Sequence, residues 1–122
     1  MTSAPSARPD NRVITVGKDF SPSPGGRFAA HGPKSGEEFR RAFLVPALQT
    51  SDHVTVYLDG TAGYAGSFLE EAFGGLIREH DFTADQLRRK LTIAANNSRY
   101  EIYRKMAENY VSEAAAALKK SA

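Results

Sequence analysis

Cysteine is absent from the 122 residues, which excludes disulfide scaffolds, thiol catalysis and cysteine-ligated zinc and fits a reducing cytoplasm. No segment offers the ~18 consecutive apolar residues of a membrane span. The opening "MTSAPSARPDN" has no basic start leading into an apolar stretch, so no membrane anchor or secretory leader is expected. A dominant charge is lacking too: sixteen basic side chains against fourteen acidic ones leave +2, with no Lys/Arg block resembling a nucleic-acid tail. His31, His53 and His80 never stand four residues apart, the spacing that puts two zinc ligands on one helix face. Neither a Gly-x-Gly-x-x-Gly loop nor a Gly-Lys-Ser/Thr phosphate loop occurs. These absences lead to the expectation of a cytoplasmic protein without metal, cofactor, membrane or nucleic-acid partner.

What is present suits one domain, long enough to bury a core without metal or disulfide support. Residues 1–11 are rich in Pro, Ser and Ala without apolar periodicity and are expected to form a disordered tail, leaving 12–122 as the folded domain. "RVITV" reads as a first strand. Prolines and glycines crowd Ser21 to Gly36, a long loop with room for a short strand or hairpin around Arg27 to Ala30 and with Phe28 reaching the core. Ser35 and Glu38 form a capping-box pattern ahead of a helix over Gly36 to Gln49, perturbed at Pro46. "HVTVYLD" is nearly continuously apolar, as in a central strand covered on both faces. A second helix runs from Ser67 to about Glu79, with Phe68, Leu69, Ala72, Phe73, Leu76 and Ile77 as its apolar stripe. "RKLTIAA" is the next strand. A last helix, Ser98 to Lys120, repeats Ile102, Tyr103, Met106, Tyr110, Val111, Ala114 and Leu118 every three or four residues. Strands alternating with helices predict an α/β fold, a mixed sheet of about four strands with helices packed on it and a hairpin at its edge.

The stretch "VTVYLDGTAGYAGSFLEEAFGGL" carries the functional reading. A strand leads through Gly60, Gly63 and Gly66 into a helix with Ser67 at its start, and the first amides of a helix are unpaired and partly positive. Asp59, Gly60, Thr61, Gly63, Tyr64 and Gly66 are taken as a docking turn and Ser67 as a candidate phosphoacceptor, against a plainer role for Ser67 as N-cap. Asn96 and Asn97 read as the turn and cap of the last helix. "GGRF" with Lys34 could bind an anion through Gly25, Gly26, Arg27 and Lys34, or these charges could simply be solvated. Glu70 and Glu71 suit the positive end of the helix dipole.

Catalysis has no positive signal. "YLDGT" looks like the first motif of haloacid-dehalogenase-type phosphatases, but Tyr57 stands where the nucleophilic aspartate would be, and a neutral phenol cannot replace it. No histidine or lysine lies near Ser67 to activate it. The expectation is no enzyme. The alternative is a small-ligand-binding or catalytic domain in which the glycine-rich loop folds over the Gly60–Ser67 turn.

The segments "VGKDFSPSPGGRFAAHGPKSGEEFRRAFLVPAL", "VTVYLDGTAGYAGSFLEEAFGGLIRE" and "KLTI" with the helical tail resemble a bacterial STAS-like domain family of unknown function. The resemblance implies the STAS fold of anti-sigma-factor antagonists, in which a strand leads to a phosphorylatable serine at a helix start and a histidine-kinase-like ATPase partner docks there. It implies, for this chain, Ser67 as phosphoacceptor and a regulatory, partner-switching role, and docking is expected through the turn Gly60 to Ser67 and the exposed face of the second helix. Antagonists read Asp-Ser-Ser/Thr-Gly-Leu at this turn, and the present chain reads Ala65, Gly66, Ser67, Phe68, Leu69.

Overall fold

In a computed structural model, residues 11–121 are described. Strand β1 (Asn11–Thr15) is followed by a single π turn (Val16–Phe20) and a long loop, then by helix α1 (36–50) and strand β2 (His53–Tyr57). Helix α2 (66–80), helix α3 (Ala84–Lys90), strand β3 (Leu91–Ala94) and helix α4 (Glu101–Ser121) complete the chain. The expected tail of residues 1–11 lies outside the described residues except for Asn11, which opens β1.

Among the described residues the sheet has three strands in the order β1-β2-β3, all parallel, with Val54 of β2 facing Arg12 on one side and Leu91 on the other. The expected central place of β2 holds, but the sheet is neither mixed nor four-stranded. The missing strand is the one expected around Arg27 to Ala30. That segment turns into a short 3-10 turn, Ala29–His31, and its carbonyls serve a helix instead: Gly26 O and Arg27 O accept from the Gly36 and Glu37 amides at 2.9 and 3.0 Å. Such capping satisfies the unpaired first donors of α1 and leaves no backbone for a ladder.

Ile14, Val54, Val56 and Ile93 are buried, whereas the alternate positions Val13, Thr15, Thr55, Tyr57 and Thr92 are half-buried or exposed. Among the described residues the helices pack on the face of Ile14, Val54, Val56 and Ile93, and the opposite positions of β2 are half-buried, so the expectation that β2 is covered equally on both faces is not met. Parallel crossovers of one hand, running twice in the same direction, deliver their helices to the same side. Phe28 is 39% exposed and does not reach the core. Phe20, at the end of the π turn, takes that place and meets Phe39, Phe43 and Phe68 with ring centroids 5.1, 5.4 and 6.2 Å away.

Helix α1 starts as its pattern says: Ser35 Oγ accepts from the Glu38 amide at 3.0 Å, although the Glu38 carboxylate reaches back to Lys34 N rather than to Ser35. A π turn at Arg40–Leu44 ends at the residue before Pro46's neighbour Val45, so the proline is met by a locally widened helix. Helix α2 is the central helix: from Phe68 to Ile77 every residue except Glu70 is buried. Gly36 lies against the Phe68 carbonyl from the α1 side, and Gly74 approaches the Tyr110 carbonyl from the α4 side. In α4, Ile102 and Leu118 point to solvent, at 63 and 54% exposure, so the expected stripe contracts to Tyr103, Met106, Tyr110, Val111 and Ala114, and the buried Ala107, absent from that expectation, joins them. Among the described residues no helix is long and apolar enough to cross a membrane.

Candidate functional site

The turn between β2 and α2 stands at the carboxyl ends of the strands, where open α/β sheets present their binding crevices. Gly60 and Gly63 adopt φ of +86° and +125°, a region that disfavours side chains. The Gly17 amide donates to the Asp59 carbonyl at 3.1 Å, and a methyl carbon on Gly17 would overlap the Gly60 carbonyl. Asp59 stands two residues beyond the end of β2. Its carboxylate accepts from the amides of Asn96, at 2.9 Å, and Asn97, at 2.8 Å, which ties the end of β2 to the end of β3. Asn97 in turn caps the following helix, accepting from Arg99 N at 3.0 Å.

Tyrosines hold the turn from within. Tyr64 is buried and donates to the Leu58 carbonyl at 2.7 Å, and burial raises its phenol above the usual value, keeping it a neutral donor. Tyr100 donates to the Thr61 carbonyl at 2.6 Å, while Thr61 Oγ1 accepts from Gly63 N at 3.2 Å. A methyl carbon on Gly63 would lie 2.9 Å from the Tyr103 hydroxyl, and one on Gly66 3.1 Å from that of Tyr110. The outward residues are Gly60, Ala62 and Ala65.

Ser67 is not the N-cap. Ala65, at φ −72° and ψ 142°, occupies that position without a capping side chain, its carbonyl accepting from Phe68 N at 3.1 Å. The helix therefore begins one residue early, at Gly66, and Ser67 is a half-buried residue of its first turn.

One turn further on lies an ionic cluster that sequence reasoning missed. Arg40 and Glu71 are buried, with side chains 2 and 6% exposed, and Arg40 Nη1 donates to Glu71 Oε2 and to the Glu71 carbonyl, both at 2.7 Å. Arg40 Nε donates to His80 Nε2 at 3.1 Å. Arg27 reaches from the loop to Glu70 Oε1 at 2.5 Å and Glu71 Oε1 at 3.2 Å, and Arg78 pairs with Glu70. Burial alone would raise the Glu70 carboxyl, but hydrogen bonds from Arg78 and Arg27 outweigh it and hold the group below the usual carboxylate range. Both buried partners belong to π turns, Arg40–Leu44 and Glu70–Gly74, and Gly75 makes room for the Arg40 guanidinium. The available signal was two adjacent glutamates inside an otherwise apolar helix, which must find cations when that helix is buried.

The expected anion loop places its cations apart. Gly25 N donates to the Lys34 carbonyl at 2.7 Å, closing the loop, while Lys34 Nζ stands 5.3 Å above the Phe20 ring and Arg27 faces carboxylates. The histidines are equally dispersed: His53 contacts Thr92 Oγ1 at 2.8 Å, and His31 meets the Phe28 ring. A cavity of about 430 Å³ opens between α3, β3 and α4, lined by Leu87, Leu91, Ile93 and Val111 with Arg88 and Glu108. None of the residues lining it comes from the turn.

Compared with known families, residues 35–101 match the STAS-like domain of unknown function (DUF4325). The chain belongs to this family. The matched region runs from the cap of α1 to the first residue of α4 and holds the whole turn, Ser67 and the Glu70–Glu71 pair. Strand β1, the long loop and the body of α4 lie outside it, so the match is narrower than the resemblance read from Val16 into the helical tail. Searches of curated proteins and of solved structures returned no match.

Proposed function

We propose that this STAS-like domain is a non-enzymatic regulatory module that binds a protein partner through the turn 59–66, and that phosphorylation of Ser67 by a histidine-kinase-like ATPase switches the partner. The observation that carries this reading is the placement of Ser67: a half-buried serine in the first turn of a 15-residue helix, beside a turn whose Gly60, Ala62 and Ala65 are exposed. In that position a phosphoryl group arriving from ATP, with ADP leaving and the serine proton released, meets the unpaired amides of the helix start. The docking surface is the turn itself. The second helix offers no exposed face beside it, since its exposed residues are Arg78 and Glu79 at the far end.

The alternative, a ligand-binding or catalytic domain, would use a concave site under the loop. A cavity does open between α3, β3 and α4, and it is lined by no residue of the turn. The experiment is calorimetric titration of the wild type, Ser67→Ala and Ser67→Asp with a histidine-kinase-like ATPase from the same organism, with mass spectrometry of Ser67 after incubation with ATP. Ala retains binding and Asp weakens it tenfold or more, about 1.4 kcal/mol. Equal affinity of the two variants, or a hydrolytic activity abolished by Ala, overturns the reading.

A further inference from the structure

Resting on the reading of Ser67 as a site of negative charge, we infer that the loop 21–34 is a strap over the docking turn and that Arg27 is its movable latch. The strap touches three elements. Pro22 O accepts from Ala62 N in the turn at 2.9 Å, Gly26 O and Arg27 O cap α1, and the Arg27 side chain grips α2 through Glu70 and Glu71. The tip has little apolar anchorage, because Phe28, Ala29, Ala30 and His31 are all exposed.

Charge counting shows why Arg27 can move. Three arginines serve two carboxylates: Glu71 has Arg40, and Glu70 has Arg78. Arg27 is the third, one-third exposed at 34%, and its departure leaves each acid with a cation. Glu70 and Glu71 stand three and four residues after Ser67, so a group on Ser67 lies on the same side of the helix, with Cβ atoms about 5–6 Å apart. A phosphoryl dianion there outcompetes a carboxylate for a guanidinium, since it offers more acceptor oxygens and more charge. Arg27 then shifts one turn towards the helix start and draws the strap, already bonded to Ala62, across the exposed turn. Phosphorylation thereby closes the docking surface with the chain's own loop, in addition to any direct repulsion of the partner.

Hydrogen exchange of the Ala62, Gly36 and Glu37 amides, whose acceptors are strap carbonyls, reads the strap directly. Four full-length chains are compared: wild type, Ser67→Asp, Arg27→Ala and the double variant, with a chain carrying phosphoserine at position 67 as the stronger charge. Arg27→Ala speeds exchange about fivefold, the scale of a partly exposed ion pair. Asp or phosphoserine slows exchange in the wild-type background and has no effect once Arg27 is gone. Unchanged or faster exchange with phosphoserine installed, or slowing that survives Arg27→Ala, overturns the latch. If the ATPase leaves Ser67 unmodified while installed phosphoserine still slows exchange through Arg27, the phosphorylation reading fails and the latch stands.

Discussion

Gly17 and Gly60 show how much of the site depends on the absence of side chains. The two backbones touch where β1 ends and the turn begins, so Gly17→Ala forces apart two main chains rather than displacing a flexible side chain. The expected loss is about 2–3 kcal/mol, read as a lower urea midpoint at unchanged slope. The buried pair Arg40–Glu71 gives a second prediction. Glu71→Leu leaves Arg40 charged, buried and short of its carboxylate, at a cost of about 3–5 kcal/mol, whereas Arg40→Met with Glu71→Leu recovers most of that loss. Equilibrium unfolding of the two single variants and the double variant checks the cycle. At this scale the sequence was readable where a residue acts locally: Asn97 as cap and Ser35 as N-cap are where their chemistry puts them. It was unreadable where partners are distant, and Arg27 and Glu70 are 43 residues apart.

Helices were legible from apolar spacing and their irregularities were not. An apolar stripe does not distinguish an α turn from a π turn, so the widened segments of α1 and α2 had no signature beyond Pro46. Helix α3 was missed although Thr83 and Gln86 form a full capping box, with bonds of 2.9 and 3.0 Å in the two directions. Its seven residues carry a single buried side chain, Leu87, too little for a periodic pattern. The end of α2 carries a pH prediction. Burial first, then the neighbouring Arg40 and Arg41, lower the pKa of His80 against the weaker pull of Glu79 and Asp81. Folded, the neutral ring accepts from Arg40 Nε. Unfolded, it titrates near 6.5, so the unfolded chain binds more protons just below that pH, and stability falls as pH drops through the lower folded value. Denaturation midpoints at pH 7.5 and 5 fall in that order for the wild type, and His80→Ala reduces the difference.

The sheet is the smallest that can have a centre. Its order, its parallel sense and the face its helices share follow from two consecutive crossovers, and the α/β alternation was plain in the sequence. The fourth strand was an error of composition: a segment bounded by Pro24 and Pro33, with adjacent glycines, capped a helix instead. The region shared with the family is not a complete core, because residues 35–101 lack Ile14, Val16 and Phe20 on one side and Ala107 and Ala114 on the other. A fragment cut to 35–101 is therefore expected to lack a cooperative unfolding transition, and restoring both flanks restores it, as circular dichroism on heating will show.

The central position of α2 also has a consequence in time. A ribosome delivers this helix before α4, the element that packs against its bulged side, so an apolar helix must wait for some forty residues of chain before it is covered. Through that interval, the nascent protein presents Ala72, Phe73 and Leu76 without their final cover, a surface suited to a chaperone. The arrival of α4 is thus what ends the dependence on assistance, and a stop codon placed a few turns before its end converts a foldable chain into a client that is never released.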